Sequence, residues 1–257
     1  MRDLTRRDAV RRMAIGAAAV VTGGCNQLGA ASASPNASDG RLTARPHPPA
    51  KAATPGLHPM GLDSARDAFL YVPKSYRPDV SAPLALLLHG AGQEAHELLG
   101  PMQTLADDKG MVLVAPNSRD ASWDIRYGAF GADVEFINKM LERVFDEVRV
   151  SASRIAICGF SDGASYALSL GLINGDLFGH ILAMSPGFMV HPHAVGMPKI
   201  FITHGTSDQI LSIDRTSRVI VPQLKGSGYE VEYHEFDGRH QVSRPLLSDA
   251  VTWMTKD

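Results

Sequence analysis

Short apolar runs alternate with helix-like segments along most of the chain. Runs with few polar residues are typical of strands buried on both faces of a parallel sheet. The periodicity predicts a helix over 132–148 and further helices at 102–110, 162–173 and about 243–256. This alternation predicts a mostly parallel, doubly wound α/β sheet flanked by helices. The expected strands are DAFLYVP (67–73), PLALLLH (83–89), MVLVAP (111–116), RIAIC (154–158), GHILAMS (179–185), KIFITHG (199–205) and YEVEYHEF (229–236).

A candidate nucleophile lies between one of these strands and a helix. The segment GFSDG (159–163) follows RIAIC and precedes an Ala-rich stretch. A Gly-x-Ser-x-Gly sequence on a strand-to-helix turn holds its serine in a strained conformation above the sheet. The glycines are needed where the strand and helix backbones approach too closely for a β-carbon. We therefore expect Ser161 to be a nucleophile.

An acid and a base follow in the chain. Asp208 comes after the run KIFITHG, and His240 comes after YEVEYHEF. Each lies just past the carboxyl end of an expected strand, where open α/β sheets carry their chemistry. Asp214 and Asp237 are rival acids, but the first lies beyond the turn and the second is too close to His240 in sequence. The order Ser, Asp, His predicts a catalytic triad.

The turn after PLALLLH suggests an oxyanion hole. It reads HGAG (89–92), and its small residues let the backbone approach a substrate carbonyl. Two N–H donors are needed, one from this turn and one from the residue after the nucleophile. We assign them to the backbones of Ala91 and Asp162. His89 is expected to be a structural hydrogen-bonding residue rather than the base.

At this point the chain, from about residue 67 to 254, resembles an α/β-hydrolase of the phospholipase/carboxylesterase type. It is also similar to the esterases grouped with polyhydroxybutyrate depolymerases and feruloyl esterases. The resemblance rests on YVPKSY, LLLHGAG, VLVAPNS, RIAICGFSDGASYA, ITHGTSD and GRHQV. It implies the α/β-hydrolase fold and a serine esterase without cofactor or metal.

The expected substrate site is an open cleft. The loop 185–197, where many lipases carry a lid, has only about 13 residues, so we predict a minimal lid or none. Trp123 and Tyr127 in the segment 117–131 and Phe188 in that loop are candidate substrate-binding residues. His191 and His193 have no third ligand nearby in sequence, so no metal site is predicted.

The preferred function is hydrolysis of short or medium acyl or aryl carboxylic esters by a Ser-His-Asp acyl-enzyme mechanism. A lysophospholipase, a thioesterase or a hydrolase of polyester oligomers of the hydroxybutyrate type is the alternative. A non-catalytic envelope-binding protein on the same fold is a remote third, since fold does not establish function. The substrate is therefore expected to be a small ester.

The amino-terminal part indicates export. Residues 1–25 resemble a twin-arginine signal, with Arg6 and Arg7 before a modestly apolar stretch. Two processing sites remain open, a lipoprotein-type site at Cys25 and cleavage after Ala33. Residues 26–60 are rich in Ala, Ser and Pro, which predicts a flexible tether, and residues 61–257 are expected to form the catalytic domain.

The net charge and the export signal limit the kinds of partner that we expect for this protein. The whole chain carries a net charge of −2, and residues 1–25 contribute five Arg, so the remainder is more acidic. An acidic body without a basic stripe argues against nucleic acid as a partner. The only expected membrane contact is a lipid anchor at Cys25. We expect a periplasmic or envelope location, and the oligomeric state is not determined.

Replacing both Arg6 and Arg7 by Lys should leave the precursor in the cytoplasm, because the arginine pair is the recognised element rather than its charge. Cell fractionation and the mass of the accumulated protein measure this. The matched change of Arg11 and Arg12 to Lys should leave export unchanged. Normal processing of the Arg6 and Arg7 variant would contradict the twin-arginine interpretation.

Overall fold

One eight-stranded sheet organises the part of the chain that the computed structural model describes, residues 37–191 and 193–256. Strands β3 to β8 run parallel, whereas β2 is antiparallel to β4 and β1 is antiparallel to β2. The order across the sheet is β1-β2-β4-β3-β5-β6-β7-β8. The strands are β1 (Gly56–Pro59), β2 (Ala68–Val72), β3 (Ala82–Leu88), β4 (Val112–Pro116), β5 (Val150–Phe160), β6 (His180–Met184), β7 (Lys199–Gly205) and β8 (Val231–Phe236).

Five α-helices cover the two faces of this sheet in the described residues. They are α1 (Ala95–Lys109), α2 (Ala132–Glu147), α3 (Asp162–Ile173), α4 (Ser217–Gly226) and α5 (Arg244–Thr255). One apolar core lies between the sheet and α2, α3 and α4, and a second lies between the sheet and α1 and α5. The predicted fold class, a doubly wound α/β-hydrolase sheet flanked by helices, is confirmed.

The strand runs are continuously apolar because both faces of the sheet are covered. In β3, Leu84, Leu86 and Leu88 face the first core, whereas Ala85 and Leu87 face the second. All of these residues are fully buried. A strand buried on both sides cannot show the alternation of a strand that is half exposed.

The prediction of a flexible tether over residues 26–60 is wrong for residues 37–60. Strand β1 belongs to the sheet, and Leu42 and Ala44 are buried in the core next to α2 and α3. The compact unit that includes these residues begins at about residue 35, before the predicted domain boundary at 61. Residues 26–36 and the signal segment with Arg6, Arg7, Cys25 and Ala33 lie outside the described residues.

Side-chain amides hold this early segment, which has no apolar periodicity of its own. Buried Asn174 accepts the Leu42 N–H at 2.9 Å and donates to the Gly40 carbonyl at 2.7 Å. Asn138 accepts the backbone N–H groups of Thr43 and Ala44. These distant side chains satisfy backbone groups that no regular element pairs. The segment 40–45, which we call the strap, is therefore part of the fold.

The loop 185–197 is the segment in which the sequence analysis looked for a lid. It joins β6 to β7, and its described residues contain no helix. Among the described residues, no helix is long and apolar enough to span a membrane.

Replacing Asn174 by Ala should lower the free energy of unfolding by about 1–3 kcal/mol, because the Leu42 N–H and Gly40 carbonyl lose their buried partner. Urea denaturation of the full chain measures this. Gln223, an exposed amide on α4, is the matched control, and Gln223→Ala should change stability by less than about 0.5 kcal/mol. Equal stability of both variants would mean that Asn174 does not hold the strap in the fold, and would support the predicted flexible tether.

Candidate active site

The candidate nucleophile sits on a sharp turn between β5 and α3. Ser161 has φ 58° and ψ −120°, a left-handed backbone conformation that is strained for a residue with a side chain. A β-carbon on Gly159 would lie 2.1 Å from the Gly163 carbonyl oxygen, and one on Gly163 would lie 2.2 Å from that of Leu88. The predicted reason for both glycines, close backbone approach, is therefore confirmed.

Ser161, His240 and Asp208 form one hydrogen-bonded line. His240 Nε2 lies 2.8 Å from Ser161 Oγ, and His240 Nδ1 lies 2.6 Å from Asp208 Oδ2. An ionised carboxylate can only accept, so Nδ1 carries the proton and Nε2 accepts the serine hydroxyl. Asp208 follows β7 and His240 follows β8, which brings them to the carboxyl edge of the sheet beside Ser161. The site can therefore deprotonate a serine hydroxyl.

The acid of this line is Asp208 rather than either rival. Its Oδ1 accepts the N–H groups of Ile210 and Leu211, both at 2.8 Å. Burial alone would raise the pKa of Asp208, but hydrogen bonds from the Leu211 amide and the His240 imidazole outweigh it and hold that pKa below its usual value. Asp214 is exposed and pairs with Arg218 instead, and Asp237 is exposed.

The turn after β3 lies next to the nucleophile because β3 and β5 are neighbours, with Leu88 opposite Gly159. His89 Nε2 accepts the Ser118 N–H at 3.0 Å, so its Nδ1–H donates to the Gly90 carbonyl at 2.8 Å. Burial lowers the pKa of His89 and favours this neutral form. His89 therefore has the structural role expected from the sequence.

The two predicted oxyanion donors have no internal acceptor. In residues 37–191 and 193–256, neither the Ala91 nor the Asp162 backbone N–H donates to a protein carbonyl or side chain. The neighbouring Gly92 N–H does, binding the Ala121 carbonyl at 2.7 Å, which fastens the turn. Among the described residues, one free backbone donor thus lies in the turn after β3 and one directly follows Ser161.

Two residues that the sequence analysis missed fix the residue after the nucleophile. Asp162 Oδ2 accepts the Ser122 hydroxyl at 2.8 Å and pairs with the Arg126 guanidinium. Both partners come from the segment between β4 and α2. No motif marks them, because only the fold brings this segment to the start of α3.

The prediction that Trp123 lines a substrate pocket is wrong. Its side chain is 1% exposed, its indole N–H donates to the His89 carbonyl at 2.8 Å, and its ring stacks on Tyr166. A large ring with a satisfied N–H is most stable inside the core. Tyr127 is 62% exposed, and Phe188 is half-buried against the first core. Both remain candidate substrate-binding residues.

A cavity of about 270 Å³ adjoins His240. Phe160 forms one wall and its ring centroid lies 4.8 Å from that of His240. The sequence analysis missed this pocket, because its residues come from three separate parts of the chain. The lining residues are Gln93, Glu97, Leu98, Phe160, His240, Gln241 and Val242.

Comparisons with known proteins show which families and folds this chain resembles. Residues 129–256 match the family model described as phospholipase/carboxylesterase. The chain is 28% identical over 119 residues to acyl-protein thioesterase 1 of Yarrowia lipolytica, covering 42% of this chain and 52% of that protein. It is 25% identical over 227 residues to probable feruloyl esterase C of Aspergillus flavus, covering 73% of this chain and 82% of that protein.

A solved structure shows the same fold at lower identity. A fluorophosphonate-binding serine hydrolase from Staphylococcus aureus superposes with a TM-score of 0.65 at 15% identity, covering 79% of this chain and 100% of that chain. The sheet, the matched family model and the esterase relatives lead to one conclusion. Together they support an α/β-hydrolase esterase family for this chain.

Proposed function

We propose that this protein hydrolyses carboxylic esters with short or medium acyl or aryl groups through an acyl-enzyme intermediate. The observation that carries the proposal is the continuous line from Asp208 through His240 to Ser161, with distances of 2.6 and 2.8 Å. A nucleophile within hydrogen-bond reach of a base, itself oriented by a third group, is the arrangement that serine acyl transfer requires.

In the first half of the reaction, Ser161 Oγ attacks the ester carbonyl carbon while His240 Nε2 accepts the hydroxyl proton. The carbonyl oxygen becomes an oxyanion, which the Ala91 and Asp162 N–H groups would bind. The tetrahedral intermediate then collapses, the bond to the alcohol oxygen breaks, and that oxygen takes the proton from His240. The acyl group remains on Ser161.

In the second half, water replaces the alcohol. His240 removes a proton from the water as its oxygen attacks the acyl carbon. Collapse of the second tetrahedral intermediate releases the carboxylic acid and returns the proton to Ser161 Oγ. Asp208 accepts the Nδ1–H throughout, which keeps the imidazole in the required tautomer and stabilises the transient imidazolium.

The cavity beside His240 supports a small substrate group. Its volume of about 270 Å³ lies just below the range of drug-sized ligand pockets. The described residues of the loop between β6 and β7 add no helix over the site. A compact dissolved ester therefore fits this site better than a long-chain substrate at an oil surface.

Thioester hydrolysis is the second candidate, and the similarity to an acyl-protein thioesterase favours it. The steps are the same, except that a thiolate leaves in place of an alkoxide and takes the proton from His240. The geometry of Ser161 and His240 serves both leaving groups. The substrate panel described below separates the two.

Ser161→Ala and His240→Ala should each lower kcat by a factor on the order of 10⁴–10⁶, and the double variant should lose little more, because the two residues act as one unit. Asp208→Asn should lower kcat by a factor on the order of 10⁴ through the wrong imidazole tautomer. Hydrolysis of p-nitrophenyl acetate measures all four variants.

Asp214→Asn is the matched control for the acid, since it removes an exposed carboxylate from the same loop region. It should leave kcat unchanged. A large loss in this control with an active Asp208→Asn variant would move the acid assignment to Asp214. Full activity of Ser161→Ala would refute the proposed function.

The full chain should hydrolyse dissolved p-nitrophenyl acetate and butyrate with ordinary saturation, because no helical lid has to open. The rate should show no jump above the solubility limit of the ester. The panel also contains methyl ferulate, a palmitoyl thioester, lysophosphatidylcholine, hydroxybutyrate oligomers and emulsified triolein. Steep activation on triolein would contradict the open site, and preference for the thioester would establish the second candidate.

A further inference from the structure

A second histidine lies against the triad acid. His204, at the end of β7, is fully buried, and its Nε2 is 3.2 Å from Asp208 Oδ2. The same nitrogen lies 2.9 Å from the Leu211 carbonyl oxygen, and Nδ1 lies 2.7 Å from Ser217 Oγ. The mechanism above does not use this residue.

The partners of His204 determine its tautomer. A carbonyl oxygen only accepts, so Nε2 must carry the proton that binds Leu211. Nδ1 then accepts the Ser217 hydroxyl. Burial lowers the pKa of His204 and outweighs the opposing effects of the Leu211 carbonyl and Asp208, which keeps the ring neutral. The ring therefore presents one fixed N–H to the turn that carries the acid.

The His204 Nε2–H is one of several donors that surround Asp208 and its turn. Asp208 Oδ1 binds the amides of Ile210 and Leu211, Oδ2 binds His240, and the Leu211 carbonyl binds His204. If the His204 contact were lost, the turn would keep, among the described residues, only the hydrogen bond from the Asp208 N–H to the Gly205 carbonyl as its link to β7. Fewer hydrogen-bond donors would then stabilise the negative charge of Asp208, and that charge would attract a protonated His240 more strongly.

We propose that His204 is a positioning residue for the triad acid, holding the Asp208–Leu211 turn and presenting its Nε2–H to Asp208. This inference rests on the proposed function, because it assigns a role in the same catalytic line. His204 does not contact the reacting atoms; it acts on them through Asp208.

Other charged groups face this pair, and they bear on any pH effect. Glu235, opposite His204 on β8, is paired with Arg218 at 2.8 Å. Glu97 lines the cavity beside His240. Neither group is changed in the variants below, so their contribution is the same throughout.

The first test compares pH profiles of kcat/KM for p-nitrophenyl acetate in the full chain. His204→Leu should lower the plateau roughly tenfold and should move the acid limb about half a unit to higher pH, because imidazolium is favoured beside a less balanced carboxylate. His204→Gln retains an N–H donor near the Nε2 position and should restore most of both properties. The matched control is His180→Leu, which should keep the wild-type profile. His180 is the first residue of β6 and lies at the end of that strand away from the proposed site.

The second test needs no variant activity. Long-range ¹H–¹⁵N spectra of the wild-type imidazoles, with His204 assigned by the loss of its signals in His204→Gln, should show one tautomer protonated at Nε2 from pH 5 to 9. An Nδ1-protonated tautomer, or titration in that range, would overturn the proposal. So would a folded His204→Leu variant with an unchanged acid limb, or equal losses in the Leu and Gln variants. Full activity of Ser161→Ala would instead refute the proposed function and leave the spectra unaffected.

Discussion

The site depends on three backbone segments meeting without room for a β-carbon. The end of β5, the first turn of α3 and the end of β3 approach so closely that Gly159 and Gly163 cannot be replaced without displacing backbone atoms. This contact places Ser161 at φ 58° and sets the turn after β3 beside it. The strain at Ser161 persists because the surrounding packing leaves no alternative conformation.

Polar groups away from the reacting atoms keep that arrangement fixed. Trp123 and Ser118 hold His89, and His89 in turn holds the turn that carries Ala91. The segment after β4 is fastened by Asp133, which accepts the N–H groups of Arg119 and Asp124 at 2.6 and 2.7 Å. Burial raises the pKa of Asp133 to about 6. These hydrogen bonds between buried groups fix the positions of the loops around the site.

The proposed acid, Asp208, and the proposed base, His240, have different surroundings. Asp208 is enclosed by donors and has no exposed side-chain surface, whereas the His240 side chain is 15% exposed and borders the cavity. In the proposed mechanism the acid does not contact the substrate and can be immobilised, but the base must reach both the nucleophile and the leaving group. The two residues differ in burial because the loop after β7 places Asp208 inside the protein, whereas the loop after β8 places His240 nearer the surface.

Local sequence was sufficient for strands β2 to β8, the helix over 132–148 and the identities of Ser161, Asp208 and His240 as the residues brought together, but not for β1. Each of these depends on a contiguous pattern, such as an apolar run, a helical period or a glycine-flanked turn, whose physical cause acts within about ten residues.

Only the tertiary structure decided the burial of Trp123, the pairing of Asp162 with Arg126, the cavity beside His240 and the place of the strap. Arg41 of the strap pairs with Asp176, which is 135 positions away in the chain. Whether an aromatic residue faces a pocket or the core, and whether a Pro-rich segment is free or bound, depends on such distant partners. Hydrogen bonds and packing between elements far apart in sequence leave no periodic signal in either segment, because each segment supplies only half of the contact.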